Sequence, residues 1–561
     1  MPRLPRPQGI AAALLIAGLI LLSACSAAHS APGGVLRLAY PGDPPDLNSM
    51  TAVDSISWDV LDQVLEGLTR PNAAGVPEPA IARSWTVSPD GLTYTFHLRQ
   101  ARWSDGEAVT AQDFVYAWQQ ALDPRHATGA ASMLQYVAGA PALLGLQLPD
   151  PTKNAAGYRA AVAQIAPLEA KLGVRAQGTQ TLVVTLAQPA AYWLSLTGLP
   201  VYFPAPQADV QRWGWAAYGS DPQHLLADGP FVLTTWVHNS QVAMQRNPDY
   251  WDASAVALQG VTAQIVTSES TISNLFAAHQ IDGILPSIPP EYVAAYRGSP
   301  GYVSTPAAVV AYIQFSVTSP GLGSALVRQA FSLAIDRAAL AGQVVGAGAL
   351  PASSLVPPTI DYAPGQRFGP LVGALLPAQA EAATARADLA AGLRAAGLTK
   401  LPPLALLVPP DAASQTQAQA LQAMWQATLG IKVSIESPDG QTYVGDLESG
   451  QFQMALLGWN ADYNDPSDFL DLFQTGNGNN FGHWSDPAFD AKLQAADAQT
   501  NAAVRGTDLA AAEKLLLAQM PAIPLWWSST NYILAPDVHG LVVNLTGPDY
   551  YLGHVTITPG S

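Results

Sequence analysis

Runs of alternating and of continuous apolar residues predict that the chain is built from both strands and helices. Segment 92–98 alternates strictly and 309–315 is nearly continuously apolar, as expected for a half-buried and a buried strand. Segments 327–345 and 412–429 carry apolar residues at helical spacing and predict two long helices. The strand–helix–strand order of 404–436 predicts parallel sheets wrapped by helices, and hence an α/β fold.

Local signals define the ends of some of these elements. Residues 88–91, Ser-Pro-Asp-Gly, have turn chemistry and should join the strands 84–87 and 92–98 into a hairpin. Thr110 is the expected N-cap of the helix that follows, and Asp113 stands at the position of a capping box.

Candidate chemistry is concentrated at 457–466, Leu-Gly-Trp-Asn-Ala-Asp-Tyr-Asn-Asp-Pro. An apolar strand over 453–457 runs into it and is expected to end there, in a loop that carries Trp459, Asp462 and Tyr463. Open α/β sheets place ligand sites where strands end in clusters of polar and aromatic groups. A carboxylate at Asp462 with two aromatic rings beside it would suit a ligand ammonium group.

The same residues also have structural explanations. Asp462 and Asp465 could cap a helix that begins near Ser467, because Asp and Asn favour helix starts. The rings of Trp459 and Tyr463 could simply pack in a core. From these residues alone, a ligand clamp and a capped helix remain alternatives.

Length and charge narrow the class of protein. The chain has 561 residues, too many for one hydrophobic core, so we expect roughly two to four domains. The formal net charge of −17 disfavours nucleic acid and anionic membrane surfaces as partners. The single cysteine, Cys25, excludes an intrachain disulfide and a cysteine metal cluster, and the nine histidines show no zinc-helix spacing. We therefore expect neither a metal nor a cofactor.

The N-terminus has the pattern of a secretory signal. Arg3 and Arg6 precede an apolar run over 10–22, which is shorter than the roughly 20 residues that span a bilayer. Leu-Ser-Ala-Cys then ends at Cys25 and resembles the lipobox of bacterial lipoproteins. That resemblance implies cleavage before Cys25 and lipid attachment to its sulfur, with an ordinary cut after Ala28 as the alternative.

Four runs along the chain carry a family resemblance: 88–124, 246–251, 330–337 and 458–466. They include Ser-Pro-Asp-Gly-Leu-Thr-Tyr-Thr-Phe-His-Leu-Arg, Arg-Asn-Pro-Asp-Tyr-Trp and Ala-Asp-Tyr-Asn-Asp-Pro. In this order they resemble the family 5 extracellular solute-binding proteins, which are receptors of peptide and nickel ABC importers. The sequence Ala-Asp-Tyr-Asn-Asp-Pro in the last run resembles the oligopeptide branch more than the nickel branch.

The resemblance implies a two-lobed, periplasmic-binding-protein-like clamshell of type II with an extra domain inserted in the first lobe. The parts that it implies are a signal peptide at 1–24, a lipidated tether at 25–34, a first lobe at 26–65, 193–308 and 530–561, an extra domain at 66–192, and a second lobe at 309–529.

Such receptors close on a ligand buried between the lobes and deliver it to the permease subunits of a transporter. The resemblance implies that Asp462 receives the α-ammonium of an oligopeptide, and that Gly458 and the strand near Tyr312 grip its backbone like an added strand. Trp459, Tyr312 and Tyr463 would wall side-chain pockets, and interlobe packing is the alternative for each. The candidate ligand contacts are Asp462, Trp459, Gly458, Tyr463, Tyr312, Gln314 and Ser287.

Three departures from the oligopeptide receptors concern the far end of the ligand. Gln314 and Leu456 stand where those receptors carry a Glu and an Arg as a cleft pair, and Leu447 matches another Arg near the ligand carboxylate. The cysteine pair that links their cleft strands falls at Val309 and Asn460. The resemblance therefore implies a retained ammonium site and a rebuilt carboxylate end, suited to longer, modified or C-terminally blocked peptides.

Other functions remain open at this stage. Within the importer class the ligand could be a nickel chelate, glutathione or a cell-wall peptide, and outside it the protein could sense or chaperone peptides. We expect no enzyme, because no nucleophile elbow, zinc motif or phosphate loop is present. We expect a monomer outside the cytoplasm, in the periplasm or on the outer face of the cell membrane, held to the membrane only through the lipid on Cys25.

Overall fold

The computed structural model describes residues 34–126 and 128–558, so the signal segment, Cys25 and nearly all of the tether lie outside the described residues. Two large hydrophobic cores organise the described chain. One combines residues of the first lobe with residues of the extra domain, and the other is drawn from 308–527. The chain therefore buries its apolar surface in two bodies, and a cleft can form between them.

The first lobe is built on a four-stranded sheet with the order Val35–Tyr40, Gly260–Ile265, Gln241–Arg246 and Phe231–Val237. The first pair is parallel and the other pairs are antiparallel. The α-helices and 3-10 helices of this lobe are Ser55–Val64, Trp193–Leu196, Pro200–Tyr202, Gln207–Trp213, Pro222–His224, Glu269–Ala277 and Pro290–Tyr296. Two short ladders, Val538–His539 with Thr556–Ile557 and Val542–Val543 with Tyr550–Tyr551, complete it.

The extra domain has its own antiparallel sheet, ordered Ala82–Val87, Thr93–Leu98, Thr181–Thr185 and Val174–Ala176. Its longest helix, Ala111–Leu122, begins as predicted, because the Thr110 backbone N–H donates to Asp113 Oδ2 at 2.7 Å. The remaining elements are the 3-10 helix Gly129–Tyr136, the helices Ala140–Leu144, Ala155–Val162 and Ile165–Glu169, and the ladder of Thr69–Pro71 with Pro77–Pro79.

A seven-stranded sheet carries the second lobe and joins it to the first. Its main path is Gly283–Ile284, Ala522–Leu534, Tyr302–Phe315, Met454–Asn460, Leu404–Leu407 and Val433–Glu436, and Leu350–Pro351 pairs with the second of these. Two long antiparallel strands, Tyr302–Phe315 and Ala522–Leu534, pass from one lobe to the other. Their register breaks between Pro306 and Val310, which marks the crossing point.

Helices surround this sheet in the second lobe. They are Ala325–Leu333, Arg337–Ala339, the π-helical turn Leu340–Val345, Gly369–Val372, Ala382–Ala395, Ala412–Leu429, Gly440–Glu448, Ser467–Leu470, the 3-10 helix Asp471–Phe473, Pro487–Asp497 and Ala502–Gln519. A short hairpin pairs Asp361–Ala363 with Gln366–Arg367. Among the residues that the structure describes, no helix is long and apolar enough to cross a bilayer.

Three expectations from the sequence are wrong in detail. The sheets are mixed, because within 34–126 and 128–558 only Val35–Tyr40 with Gly260–Ile265 and the ladders of Leu404–Leu407 are parallel. The predicted helix over 327–345 is interrupted, since the Asp336 side chain accepts from the Ala339 N–H at 2.8 Å and starts a new helix. The strand expected to end at Leu457 continues to Asn460, because it stays paired with Val309.

Candidate functional site

The exposed edge of the strand Met454–Asn460 forms one side of the site. The Ala461 N–H donates to the Ala308 carbonyl at 3.0 Å, so odd-numbered residues of this strand face the strand Tyr302–Phe315. The main-chain groups of the even-numbered residues therefore point to the opposite side of the strand. On that side the strand Leu404–Leu407 pairs with it only as far as Ala455.

The free part of this edge is short. The Tyr443 hydroxyl donates to the Leu456 carbonyl at 2.7 Å and so closes the edge at that residue. Gly458 and Asn460 are exposed, and no described strand pairs with them on the outer side. Two residues thus present N–H and C=O groups that an extended ligand could pair with, as a strand pairs with a sheet edge.

Asp462 lies two residues beyond this edge. Its side chain reaches solvent, and no hydrogen-bond donor within the described part of the chain contacts its carboxylate. The surrounding protein nevertheless removes enough water that burial raises the pKa of the Asp462 carboxyl above its ordinary value. An exposed but partly desolvated carboxylate without a partner is suited to a cation from outside.

Asp465 has a structural role instead. Its Oδ1 accepts from the Ser467 N–H at 2.9 Å and from the Ser467 hydroxyl at 2.8 Å, at the start of the helix Ser467–Leu470. The guanidinium of Arg505 also forms a bidentate ion pair with Asp465, with N–O distances of 2.6 and 2.9 Å. Both side chains are buried, so the ligand has no access to this carboxylate.

Asp468 binds residues at the start of this loop, and the sequence analysis did not predict that role. Its Oδ2 accepts from the indole Nε1–H of Trp459 at 2.9 Å and from the backbone N–H of Asp462 at 3.1 Å. Burial raises the pKa of the Asp468 carboxyl well above its usual range, and the nearby charge of Asp462 adds to that rise. The recurrence of Asp at 462, 465 and 468 is the signal that could have found it.

Tyr463 packs into the body formed by the first lobe and the extra domain. Its ring stacks on that of Tyr192 with the centroids 4.2 Å apart and the planes at 13°. It is 8% exposed and belongs to the hydrophobic core of that body, although its backbone lies in the second lobe. The packing alternative therefore describes the position of Tyr463.

Tyr312 and Gln314 lie beneath the surface of the cleft. They are 2% and 1% exposed, and the Tyr312 ring packs edge-on against Phe473 at 5.9 Å. Both side chains point from their strand toward the core of the second lobe, so neither is available to a ligand in this conformation. This burial corrects the expectation that they contact the ligand directly.

The remaining candidates lie nearer to solvent. Trp459 is partly buried and is held by Asp468, whereas Ser287 is exposed. Ser287, Val309 and Asn460 line a groove of roughly 440 Å³ at the crossing between the lobes. Val309 and Asn460 face each other directly in the ladder, as their match to a linked cysteine pair implies.

The far end of the site is apolar where the family resemblance implies basic groups. Leu447 is buried in a small cluster with Leu407 and Phe452, and Leu456 is also buried. Gln314 is buried with its Oε1 unpartnered. In the described ranges, no group of three or more His, Cys, Asp or Glu side chains is placed to hold a metal ion.

The two bodies, the strands that cross between them and the exposed edge define a two-lobed solute-binding protein. Residues 76–481 match the sequence profile of the bacterial extracellular solute-binding proteins, family 5 (middle). The chain belongs to this family, which confirms the resemblance read from the sequence.

Individual proteins agree with this assignment over nearly the whole chain. The chain is 30% identical over 559 residues to the oligopeptide-binding protein OppA of Bacillus subtilis (strain 168), covering 96% of this chain and 97% of that protein. It is 31% identical over 517 residues to the probable deoxycholate-binding periplasmic protein YgiS of Escherichia coli (strain K12), covering 91% of each.

A solved structure shows the same fold. The unliganded open form of the periplasmic murein tripeptide binding protein MppA has a TM-score of 0.76, with 28% identity over 94% of this chain and 97% of that one. The two-lobed type II fold expected from the sequence is therefore confirmed.

Proposed function

We propose that this protein captures oligopeptides for an ABC importer and recognises them by their free amino terminus. The observation that carries the proposal is the unpartnered carboxylate of Asp462, which lies beside the exposed edge at Gly458 and Asn460. The ammonium group would bind Asp462 while the first peptide units pair with that edge. The names of the relatives, with an oligopeptide and a murein tripeptide among their ligands, support the same class.

The strength of this contact follows from its surroundings. A hydrogen bond to a charged group contributes about 1.5–3 kcal/mol, and loss of about 2.7 kcal/mol weakens binding by roughly a hundredfold. When the lobes close, water leaves the cleft and the Asp462–ammonium pair strengthens, because the local dielectric falls. The loaded, closed form would then differ from the empty one, and the transporter could select it.

The opposite end of the ligand would be held without a positive charge. Leu447 and Leu456 occupy the positions at which a basic partner for a carboxylate is implied, and both are buried among apolar groups. We therefore infer that peptide amides and longer peptides bind as well as short free acids. A strong preference for the free acid, measured on matched pairs, would contradict this.

Calorimetric titration of a tripeptide and its N-acetylated form tests the main proposal. The wild-type protein should bind the free amine at least roughly a hundredfold more tightly, and Asp462→Ala should abolish that difference. Glu436→Gln removes one exposed charge from the same lobe and should leave both affinities unchanged. Equal binding of both peptides by the wild-type protein would refute recognition of the amino terminus.

Deoxycholate distinguishes the ligand class, since one relative is named for it and it has no amine. Under the proposal it should not compete with the tripeptide. Tight deoxycholate binding that is insensitive to Asp462→Ala would instead identify an apolar ligand. The peptides should also be recovered intact after incubation, because we propose binding and not catalysis.

We also propose that the mature protein is an extracytoplasmic monomer tethered by a lipid on Cys25, delivering its ligand to membrane permeases. Support comes from Leu-Ser-Ala-Cys at the end of the signal-like segment and from relatives named as periplasmic. Cys25→Ser should move the protein from the membrane fraction to the soluble extracytoplasmic fraction and prevent its labelling with a fatty acid. Unchanged labelling would refute the anchor.

A further inference from the structure

The loop that carries Asp462 is attached to the extra domain at two points. The first is the Tyr463 ring, which stacks on Tyr192 at 4.2 Å. The second is the Asn464 side chain, whose Nδ2 lies 3.3 Å from the Gly75 carbonyl, within hydrogen-bonding distance. These are the two residues that directly follow Asp462, so the extra domain sets the path of the chain as it leaves this residue.

Each attachment is supported from behind. The ring of Tyr136 packs edge-on against Tyr192 at 5.5 Å, which fixes the face that Tyr463 stacks on. Asn464 Oδ1 accepts from the Asp361 N–H at 2.9 Å, so its amide bridges the extra domain and the hairpin that begins at Asp361. The loop is therefore held from both bodies and not by the second lobe alone.

The close approach at Gly75 shows that this junction is built for a tight contact. Gly75 has a φ of +75°, and a Cβ at this position would lie 2.9 Å from Asn464 Nδ2. Any side chain there would both strain the backbone and push the amide of Asn464 away. Glycine suits this junction, because it adopts this φ without strain and leaves room for the Asn464 amide.

We propose that the extra domain is part of the apparatus for recognising the amino terminus, with Tyr192 and Gly75 as positioning residues for Asp462. This inference rests on the proposed function of Asp462. Tyr192 and Gly75 act by holding Tyr463 and Asn464, while Asp468 holds the backbone N–H of Asp462 from the opposite side. The backbone that carries the Asp462 carboxylate is thereby fixed before the ligand arrives, which reduces the entropy lost on binding.

Substitution of Tyr192 separates positioning from mere stability. Tyr192→Ala removes the stack on Tyr463, whereas Tyr192→Phe keeps it. Tyr116→Ala is the matched control, because Tyr116 is also a buried tyrosine of the extra domain but lies on the helix Ala111–Leu122, and in the described part of the chain no ring stacking or hydrogen bond joins it to 190–193. For each variant, the affinities for a tripeptide and its N-acetylated form are measured, with the folded fraction determined by urea titration.

Tyr192→Ala should lower the ratio of the two affinities by about fivefold to tenfold, and Tyr192→Phe should restore it. Tyr116→Ala should lower stability but leave the ratio unchanged. If Tyr192→Ala does not fold, Gly75→Ala should show the same loss of ratio. A ratio that is unchanged in the folded Tyr192 or Gly75 variants while Asp462→Ala abolishes it would overturn the inference alone. A ratio that Asp462→Ala also leaves unchanged would overturn the proposed function.

Discussion

The carboxylates of two acid-rich regions differ in one respect. At the junction of the first lobe and the extra domain, Asp59 and Asp62 lie on the helix Ser55–Val64 and Glu66 follows its end, and all three are buried. In the second lobe, the loop that contains Asp462 buries two of its acids and leaves the third exposed. The density of acidic residues is similar in both regions, so density alone does not identify a ligand site.

The presence of hydrogen-bond donors distinguishes Glu66 and Asp465 from Asp462. Glu66 Oε1 accepts from the Tyr250 hydroxyl at 2.9 Å and from Arg70 at 3.2 Å, and this network ties the first lobe to the extra domain. Asp465 likewise has Arg505. Asp462 is exposed, and its carboxylate accepts no hydrogen bond within the described residues. A carboxylate whose donors are supplied internally stabilises the fold, whereas one without them can take its donor from a ligand.

The largest effect should come from breaking a paired acid in the second region. Arg505→Met leaves Asp465 buried without its cation, and loss of one partner of a buried pair costs about 3–5 kcal/mol. We expect urea unfolding to show a loss of this size. The double variant Arg505→Met, Asp465→Asn should recover part of it, and a loss below about 1 kcal/mol would place this pair with weak surface ion pairs.

An intermediate, pH-dependent effect should come from the first region. Burial, with the charge of Glu66 adding to it, raises the pKa of Asp62 from 3.8 to about 8. The folded state therefore keeps a proton that the unfolded chain loses, and the free energy of unfolding should fall as the pH rises from about 4 to about 8. Asp62→Asn should match the wild type near pH 4 and be more stable by about 1 kcal/mol or more at pH 8.

Asp90→Asn is the control for that slope. Asp90 is exposed, and a hydrogen bond from Ser88 lowers the pKa of its carboxyl, so its contribution to stability changes only at acid pH. Unfolding should therefore depend on pH above about pH 5 in the same way for this variant and the wild type. If Asp62→Asn also kept the wild-type slope, Asp62 would not be the source of the effect.

The smallest effect on stability should come from the residue with the largest proposed effect on binding. Asp462→Asn removes no internal hydrogen bond of the described side chains, so the free energy of unfolding should change by no more than about 0.5 kcal/mol. A substantial loss of stability would mean that Asp462 has an internal partner and, like Asp465, a structural role. A substantial gain would agree with an acid retained for its ligand.

Local signals in the sequence predicted much of the fold. The hairpin at 88–91 and the start of the helix Ala111–Leu122 depend on residues within one turn of each other, and both are confirmed. The two-lobed fold came from the family resemblance and is also confirmed. The extent of the strand Met454–Asn460 was wrong, because its pairing with Val309 joins residues that are far apart in the chain.

The site was predicted less completely, for the same physical reason. The exposed position of Asp462 follows from contacts that its neighbours make elsewhere, such as Asp465 with Arg505 and Tyr463 with Tyr192. No local pattern links positions so distant in the sequence. The burial of Tyr312 agrees with the nearly continuous apolar run 309–315, because residues 310–315 are buried on both faces of their strand, so the local pattern favoured packing for Tyr312 over ligand contact.

The Tyr443 hydroxyl at the Leu456 carbonyl has a practical consequence. Because this hydrogen bond limits the exposed edge to Gly458 and Asn460, the receptor would contact the main chain of only the first units of a bound peptide. A dye, an antibiotic or a metal chelator attached beyond those units would make no contact with the exposed edge, so it could be carried together with the peptide. The short edge thus makes the protein a candidate carrier for conjugates that share an amine-bearing head.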